Sequence, residues 1–264
     1  SRNQLEQGLY QALSRNELEL FYQPQIHIST GKLRGAEVLL RWRHPELGLV
    51  SPAQFIDLLE ETGLVLPVGE WVLSTACQQW NEWLRAGIIE EHHVVSVNIS
   101  SYQFKGADLV FSVGNVLADT NLPAHMLDLE ITEGTLMEDT QLSQQVLQTL
   151  KEMGVHLSID DFGTGYSSLS YLKKFPIDCL KIDQSFVRDL MNNHDDAVIA
   201  TAIIGLSHNL NMKVIAEGVE NIEVLEFLAQ QNCDMYQGYH YSRPVPINEF
   251  FAILQRDQAQ FAAA

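Results

Sequence analysis

Positive charge is scarce in this chain: 16 Lys and Arg stand against 34 Asp and Glu in 264 residues, a formal charge of −18 with histidine neutral. That field repels a polyphosphate backbone, so a nucleic-acid polymer is excluded as a partner, and any anionic ligand has to be met by a local cation or by bound metal. Cysteine is equally sparse. Cys77, Cys179 and Cys233 are widely spaced, form no CxxC pair and leave one thiol over in any disulfide scheme, which points to a reducing compartment. Also missing is an apolar run of the ~18 to 20 residues that would span a bilayer, and the opening Ser1-Arg2-Asn3-Gln4 has no apolar signal region. This segment is therefore expected to make no membrane contact and to reside in the cytoplasm. Its start at Ser1 rather than Met suggests a piece of a longer protein, whose other parts could carry sensors or a membrane anchor.

With 46% hydrophobic and 19% charged residues, the composition is that of an ordinary folded domain. The length is close to the roughly 250 residues typical of a (β/α)8 barrel. Short β-rich runs alternate with stretches of helical spacing from end to end, the pattern of an α/β protein. Strands are expected at Leu18–Ile28, Leu33–Trp42, His93–Asn98, Met126–Thr132, Val155–Asp160, Cys179–Ile182, Lys213–Glu217 and Met235–Tyr239. Helices are expected at Pro52–Glu61, Gly69–Ala86, Leu109–Thr120, Gln141–Glu152, Ser167–Lys173, Asp195–Asn209, Asn221–Gln230 and Ile247–Arg256, with Ser51 and Asn221 suited to helix starts. No linker or low-complexity block interrupts them, so residues 1–264 read as one domain. Only Ser29-Thr30-Gly31-Lys32 separates the first two strands, so they form a hairpin and the barrel opens with one antiparallel strand.

Side chains alternate faces along a strand, and six strands show the same split. Glu37, Leu39 and Arg41 oppose Val38, Leu40 and Trp42. Ser96 and Asn98 oppose Val95 and Val97; Asp128, Glu130 and Thr132 oppose Leu127, Leu129 and Ile131. His156, Ser158 and Asp160 oppose Leu157 and Ile159, Lys181 opposes Leu180 and Ile182, and Glu217 opposes Val214 and Ala216. In a barrel wrapped by helices the apolar set packs outward and the polar set faces the axis, with strand ends at the C-terminal mouth. Glu37, Asn98, Glu130, Asp160, Asp161 and Glu217 then converge with Lys181 and Arg41. Five carboxylates so close together raise one another's pKa unless cations hold them, so the pattern implies bound metal. An all-oxygen donor set favours Mg²⁺, Mn²⁺ or Ca²⁺ over zinc, and the tandem Asp160-Asp161 could bridge two ions in a hydrolase.

Tyr22-Gln23-Pro24, Glu37-Val38-Leu39-Leu40-Arg41-Trp42, Val97-Asn98-Ile99-Ser100, Glu130-Ile131-Thr132-Glu133, Asp160-Asp161-Phe162-Gly163-Thr164-Gly165, Lys181-Ile182-Asp183, Ala216-Glu217-Gly218-Val219-Glu220 and Gln237-Gly238-Tyr239 follow one another over nearly the whole chain. In these motifs the sequence resembles the EAL-domain family, the cyclic-di-GMP phosphodiesterases. The resemblance implies a TIM-like barrel with one antiparallel strand and hydrolysis of cyclic di-GMP to linear 5′-pGpG. It also implies dependence on Mg²⁺ or Mn²⁺ with two ions per site, inhibition by Ca²⁺, a homodimer, and an upstream sensor or GGDEF-type domain in the full-length protein.

By the same resemblance Glu37, Asn98, Glu130 and Asp160 hold one ion, while Asp160, Asp161 and Glu217 serve a second. Lys181 holds or polarises the attacking water. Glu217 stands at a family position read as metal ligand or as general base; it is assigned mainly to metal, since a water on two divalent cations needs little help from a carboxylate base. Gln23, Leu39, Arg41 and Gln237 fall on the substrate side: Arg41 as a fork for a phosphate oxygen, the two glutamines as partners for a guanine edge or as structural amides. The glycine- and hydroxyl-rich stretch from Asp161 to Ser168 reads as a loop, and the resemblance implies that it couples the site to a dimer interface. Glu133 either steadies that loop or is an ordinary helix-start acid.

The sequence departs from the family name at Val38, where alanine is usual. Val38 faces the helices, so the change affects packing and not the ligands. Asp57, where the family often has proline, falls in a helix. Asp161-Phe162-Gly163 is not a kinase triplet, since the chain has neither a glycine-rich nucleotide loop nor a His-Arg-Asp segment. Asn98-Ile99-Ser100 is rejected as a glycosylation site, and His92-His93 are expected on opposite faces of a strand, solvated. The rival to an enzyme is a catalytically silent cyclic-di-GMP receptor, but such members lose carboxylates or the lysine, and this chain keeps them.

Overall fold

The computed structural model describes residues 2–106, 108–165 and 167–262. Eight strands in it close a barrel: β1 Leu18–His27, β2 Leu33–His44, β3 Val94–Ile99, β4 Leu127–Thr132, β5 His156–Phe162, β6 Cys179–Ile182, β7 Lys213–Glu217 and β8 Met235–Gln237. Neighbours run β1-β8-β7-β6-β5-β4-β3-β2, and β2 pairs back onto β1 to complete the ring. β1 is antiparallel to both β2 and β8, and every other contact in the ring is parallel. The hairpin expected from the short Ser29–Lys32 connection is what produces this. A connection that brief cannot carry a crossover helix, so β2 must reverse direction against β1. Two short strands, Gly48–Val50 and Val245–Pro246, extend the sheet outside the ring on β2 and β1.

Helices wrap the outer face, and the alternation along the strands decides what they cover. Val38, Val95, Val97, Leu127, Leu129, Ile131, Leu157, Ile159, Leu180, Val214 and Ala216 all fall in one buried core between barrel and helices. Burying a side chain of this size is worth about 1.5 to 3 kcal/mol, so this shell dominates the folding energy. Tyr22 of β1 packs on Phe250 of the helix Ile247–Ala262 with ring centroids 5.3 Å apart, and Trp80 and Trp83 of the helix Val65–Arg85 close the same seam. A second core, with Leu9, Leu18, Trp42, Phe55 and Leu59, lies under a helix at Arg2–Ala12 that the hydrophobic spacing did not reveal, since only Leu9 and Ala12 of it are buried.

Several local expectations change. The helix expected at Ser167–Lys173 is a single turn, Leu169–Leu172, because Phe175 and Ile177 are pulled into the core and the chain must turn toward β6. Ser51 takes the extended cap conformation before Pro52 but its hydroxyl makes no capping bond, whereas Asn221 accepts from the Val224 amide at 2.9 Å. Short helices at Ser101–Lys105 and Glu133–Glu138 follow β3 and β4. His92 and His93 precede β3 rather than lying on it; their rings sit 4.1 Å apart, and His93 is buried with Nδ1 accepting from the Glu90 amide at 2.9 Å. A turn ahead of the strand has no two-residue alternation, so the rings meet instead of facing apart.

Inside the ring, polar side chains replace the usual aliphatic layers. Cys179, Ile215 and Met235 form a small apolar cluster, and beside it Gln25, Arg34, Ser96, Asp128 and Ser158 are all buried. Arg34 sits at an irregularity. Gln25 pairs with Gly35 and Ile26 with Leu33, so Arg34 is an extra residue in β2 and turns inward against the parity of Ala36 and Val38.

Candidate active site

At the C-terminal mouth the inward residues meet around one ammonium. Lys181 is fully buried, and its Nζ lies 2.7 Å from Glu130 Oε2, 2.7 Å from Glu217 Oε1, 3.1 Å from Glu37 Oε2 and 3.7 Å from Asp160 Oδ1. Carboxylate oxygens of Glu37, Glu130 and Asp160 lie within 4.8 Å of one another, and so do those of Asp160, Asp161 and Glu217. Asp160 belongs to both groups. Asn98 donates from Nδ2 to Glu37 Oε1 at 2.7 Å, which turns its amide oxygen away from that carboxylate and leaves it available to a cation.

The strands explain most of this placement, but not Asp161. Consecutive strand residues face opposite ways, yet Asp160 and Asp161 both reach the mouth. The β5–β6 register shifts between Ile159 and Phe162, and Asp161 has a left-handed backbone, φ 52°, which swings its side chain back to the side of Asp160.

The protonation states follow from crowding. Burial pulls the Lys181 pKa down, but Asp160, Glu130, Glu217 and Glu37 together hold it well above its ordinary value, so it is an ammonium. Burial, then Glu37, lifts Glu130 far above the carboxylate range, and burial lifts Glu217 against the pull of Lys181. Asp161 is pushed up to about 7 by burial and by Asp160 and Asp183. Glu37 goes the other way: burial opposes ionisation, but Lys181, Asn98 and Gln237 outweigh it. Without a cation this crowding is relieved by protonation; fully ionised, the five carboxylates would exceed the one ammonium by four negative charges, the charge of two divalent cations. Glu130 Oε1 is buried with no hydrogen-bond partner among the described residues, as expected of an oxygen kept for a cation. The donor set is all oxygen and fits a hard divalent ion.

The remaining sequence candidates separate. Gln237 is 3% exposed and both hydrogens of its amide are engaged, on Glu37 Oε2 at 2.7 Å and Gln23 Oε1 at 3.1 Å. Both hydrogens are thus spent within the protein, and the side chain also lines the cavity next to Gln23. Gln23 accepts from Gln237 and lines a cavity of about 240 Å³ with Leu39, Glu217 and Tyr239. A second cavity, about 330 Å³, also touches Leu39 and includes Arg41, Asn98 and Glu130. Arg41 makes no ion pair among the described residues; its guanidinium lies 5.1 Å from the Phe21 ring centroid and donates to the Leu40 carbonyl at 3.0 Å. Gln184 and Arg188 also line the smaller cavity. They follow β6 in chain order, the one signal that could have marked them, since residues after barrel strands lie at the C-terminal mouth.

Glu133 stands at a helix start and also touches the loop. It starts the helix Glu133–Glu138, and its Oε2 accepts from the Gly163 amide at 3.0 Å, three residues after Asp160. Of the loop from Asp161 to Ser168, Tyr166 lies outside the described residues. Glu133→Ala frees the Gly163 amide behind the two aspartates, and turnover is expected to fall by about tenfold or more with the fold retained. Unchanged kcat and unchanged Mn²⁺ affinity in that variant would reduce Glu133 to a helix-start acid.

A closed (β/α)8 barrel with one reversed strand, carrying paired acidic triads on a buried lysine at its C-terminal mouth, defines the chain as a barrel protein built for divalent cations. The family model for the EAL domain matches residues 6–244, and the chain belongs to the EAL-domain family. MucR of Pseudomonas aeruginosa, described as a bifunctional diguanylate cyclase/cyclic di-GMP phosphodiesterase, is 47% identical over 250 residues, covering 94% of this chain and 36% of MucR. NbdA of the same organism, described as a cyclic di-GMP phosphodiesterase, is 42% identical, covering 97% of this chain and 33% of NbdA. The chain thus spans about a third of the length of the curated relatives it matches. A structure of the PaMucR phosphodiesterase in complex with c-di-GMP is similar with a TM-score of 0.91 and 46% identity, covering 94% of this chain and 99% of that one. No helix among the described residues is long and apolar enough to cross a membrane.

Proposed function

We propose that this domain hydrolyses cyclic di-GMP to linear 5′-pGpG with two divalent cations, Mg²⁺ or Mn²⁺, and that Ca²⁺ inhibits it. The observation that carries this reading is the pair of acidic triads sharing Asp160 around Lys181 in a chain 46% identical to a phosphodiesterase solved with that dinucleotide. Glu37, Glu130, Asp160 and the Asn98 oxygen would hold one ion, and Asp160, Asp161 and Glu217 the other. Bound divalent ions would supply Lewis-acid stabilisation of phosphate charge and lower the pKa of water.

The chain's own residues do the rest. Water attack at phosphorus breaks the P–O3′ bond, leaves the phosphate on the 5′ oxygen and sends a proton to the departing 3′ oxygen. Lys181, a donor among four carboxylates, would hold the attacking oxygen; Glu217, beside it, would serve the second ion first and proton removal second. Leu39 lines both cavities, so each can take one half of a symmetric dinucleotide, with Gln23 lining one and Arg41 presenting its fork to phosphate in the other. Lys181→Met is expected to lower kcat by about a hundredfold with a smaller change in substrate affinity. A loss confined to affinity would place Lys181 away from the reacting water.

The deciding experiment is turnover in Mg²⁺, Mn²⁺ and Ca²⁺ with products separated and binding followed in parallel. Linear product in Mg²⁺ or Mn²⁺ but not Ca²⁺ supports the enzyme; tight binding without product makes the domain a receptor; neither overturns the assignment. The domain is further proposed to act in the cytoplasm within a longer chain beside a sensor or GGDEF-type domain, and as a homodimer. Exposed Val198 and Ile199 on the helix His194–Asn209 suit such an interface. A monomer by mass at working concentration, with full activity, would remove the need for the dimer.

A further inference from the structure

The hydrogen-bond chain that ends on Glu37 starts at the far end of the barrel. Arg34 Nη1 donates to Gln25 Oε1 at 2.5 Å, Gln25 Nε2 to Gln237 Oε1 at 2.9 Å, and Gln237 Nε2 to Glu37 Oε2 at 2.7 Å. All four side chains are buried. A primary amide can turn either way, but each orientation here is forced. A guanidinium has donors only, so Gln25 must present its oxygen to Arg34 and its nitrogen onward. Gln237 must then offer its oxygen to Gln25, which leaves its hydrogens for Glu37 and Gln23.

Arg34 is held for this role from the other side. It reaches Ser96 Oγ at 3.4 Å and Asp128 Oδ2 at 3.5 Å, and Asp128 in turn accepts from the hydroxyls of Ser96 and Ser158, each at 2.8 Å. The inward turn of Arg34 depends on the extra residue in β2, so the bulge that interrupts the ladder also supplies the donor that starts the chain. Were the Gln237 amide reversed, its oxygen would face the Glu37 carboxylate at hydrogen-bond distance, lone pair against lone pair. The direction of the chain therefore matters to Glu37, beyond the space it fills.

We propose that Arg34 is a positioning residue for the active site, fixing through Gln25 and Gln237 the direction of the hydrogen bond that orients Glu37 toward the metal. This rests on the reading of Glu37 as a metal ligand. Partners of this kind, one step behind a ligand, govern metal affinity, and losing one costs about 10- to 100-fold.

Two substitutions at one position test the direction of the chain against mere packing. Gln25→Glu keeps an acceptor for Arg34 but has no hydrogen for Gln237, whose amide must turn and point its oxygen at Glu37. Gln25→Met interrupts the chain without reversing it. Calorimetric titration of the metal-free proteins with Mn²⁺ is expected to show affinity about tenfold or more weaker in Gln25→Glu than in Gln25→Met, with melting curves showing both folded. Equal affinities overturn the proposal. If Gln25→Glu does not fold, Arg34→Lys and Arg34→Gln carry the comparison, because lysine has donors only whereas glutamine can also accept. Mn²⁺ is expected to bind about threefold or more tightly in Arg34→Lys than in Arg34→Gln, and no difference overturns the proposal. Glu37→Ala is the reference: if it loses Mn²⁺ while the paired variants agree, the relay alone falls, whereas Mn²⁺ binding unchanged in Glu37→Ala removes the metal-ligand reading beneath it.

Discussion

Asp160→Ala is expected to leave a folded barrel with no measurable turnover, a loss of at least about 10⁴-fold, or about 5.5 kcal/mol of transition-state stabilisation. Asp160 is the carboxylate shared by the two acidic groups, so a single substitution takes an oxygen from both. It also accepts from the Asp161 amide at 2.9 Å, which holds the left-handed turn that brings Asp161 to the mouth. Removing it therefore weakens the second group twice, once by losing a carboxylate and once by loosening its neighbour. The measurement is product formation alongside Mn²⁺ stoichiometry, with circular dichroism to show the fold intact. Mn²⁺ is expected to raise the melting temperature of the parent protein and to leave that of this variant unchanged, because a ligand stabilises only through the sites it binds. A folded variant with a rate within about tenfold of the parent would remove Asp160 from the metal set.

Gly35→Ala is expected to act on the fold itself, by about 5 kcal/mol or more. A Cβ at Gly35 would lie 1.7 Å from the Val94 carbonyl oxygen, and its φ of 156° is one that side-chain-bearing residues rarely adopt. The obstacle is backbone of the adjoining parallel strand, where Gly35 pairs with Val94, so relief requires opening the β2–β3 ladder. No side chain can move aside instead. For a domain of this size the cost corresponds to a melting temperature lower by about 10 to 20 °C, readable by thermal denaturation of whatever protein remains folded. Gly205→Ala is the control, since nothing lies within 4 Å of a Cβ built there and it sits in the helix His194–Asn209. Equal melting of the two variants would mean that β2 and β3 approach less closely than described.

These two effects sit at opposite ends of what the amino-acid order could reveal. Asp160 was legible because a two-residue alternation, repeated on strands of one direction, needs no coordinates to say which side chains share a face. The same reasoning placed Glu37, Asn98, Glu130, Lys181 and Glu217 at one mouth and Val38 on the helix side. It could not assign Gln237, because an amide serves a ligand or a neighbour equally well until its partners are known. Only the packed barrel shows both of its hydrogens taken by Glu37 and Gln23.

The sequence by itself determined the class of fold, the reversed first strand and the acidic ring, since all three follow from local period and connection length. Tertiary structure alone decided where the period breaks. A register shift returns Asp161 to the side of Asp160, and an extra residue turns Arg34 into the barrel when its neighbours of like parity face out. Both depend on how two strands meet across the sheet, through hydrogen bonds between residues far apart in the chain, and no periodicity within either strand records them.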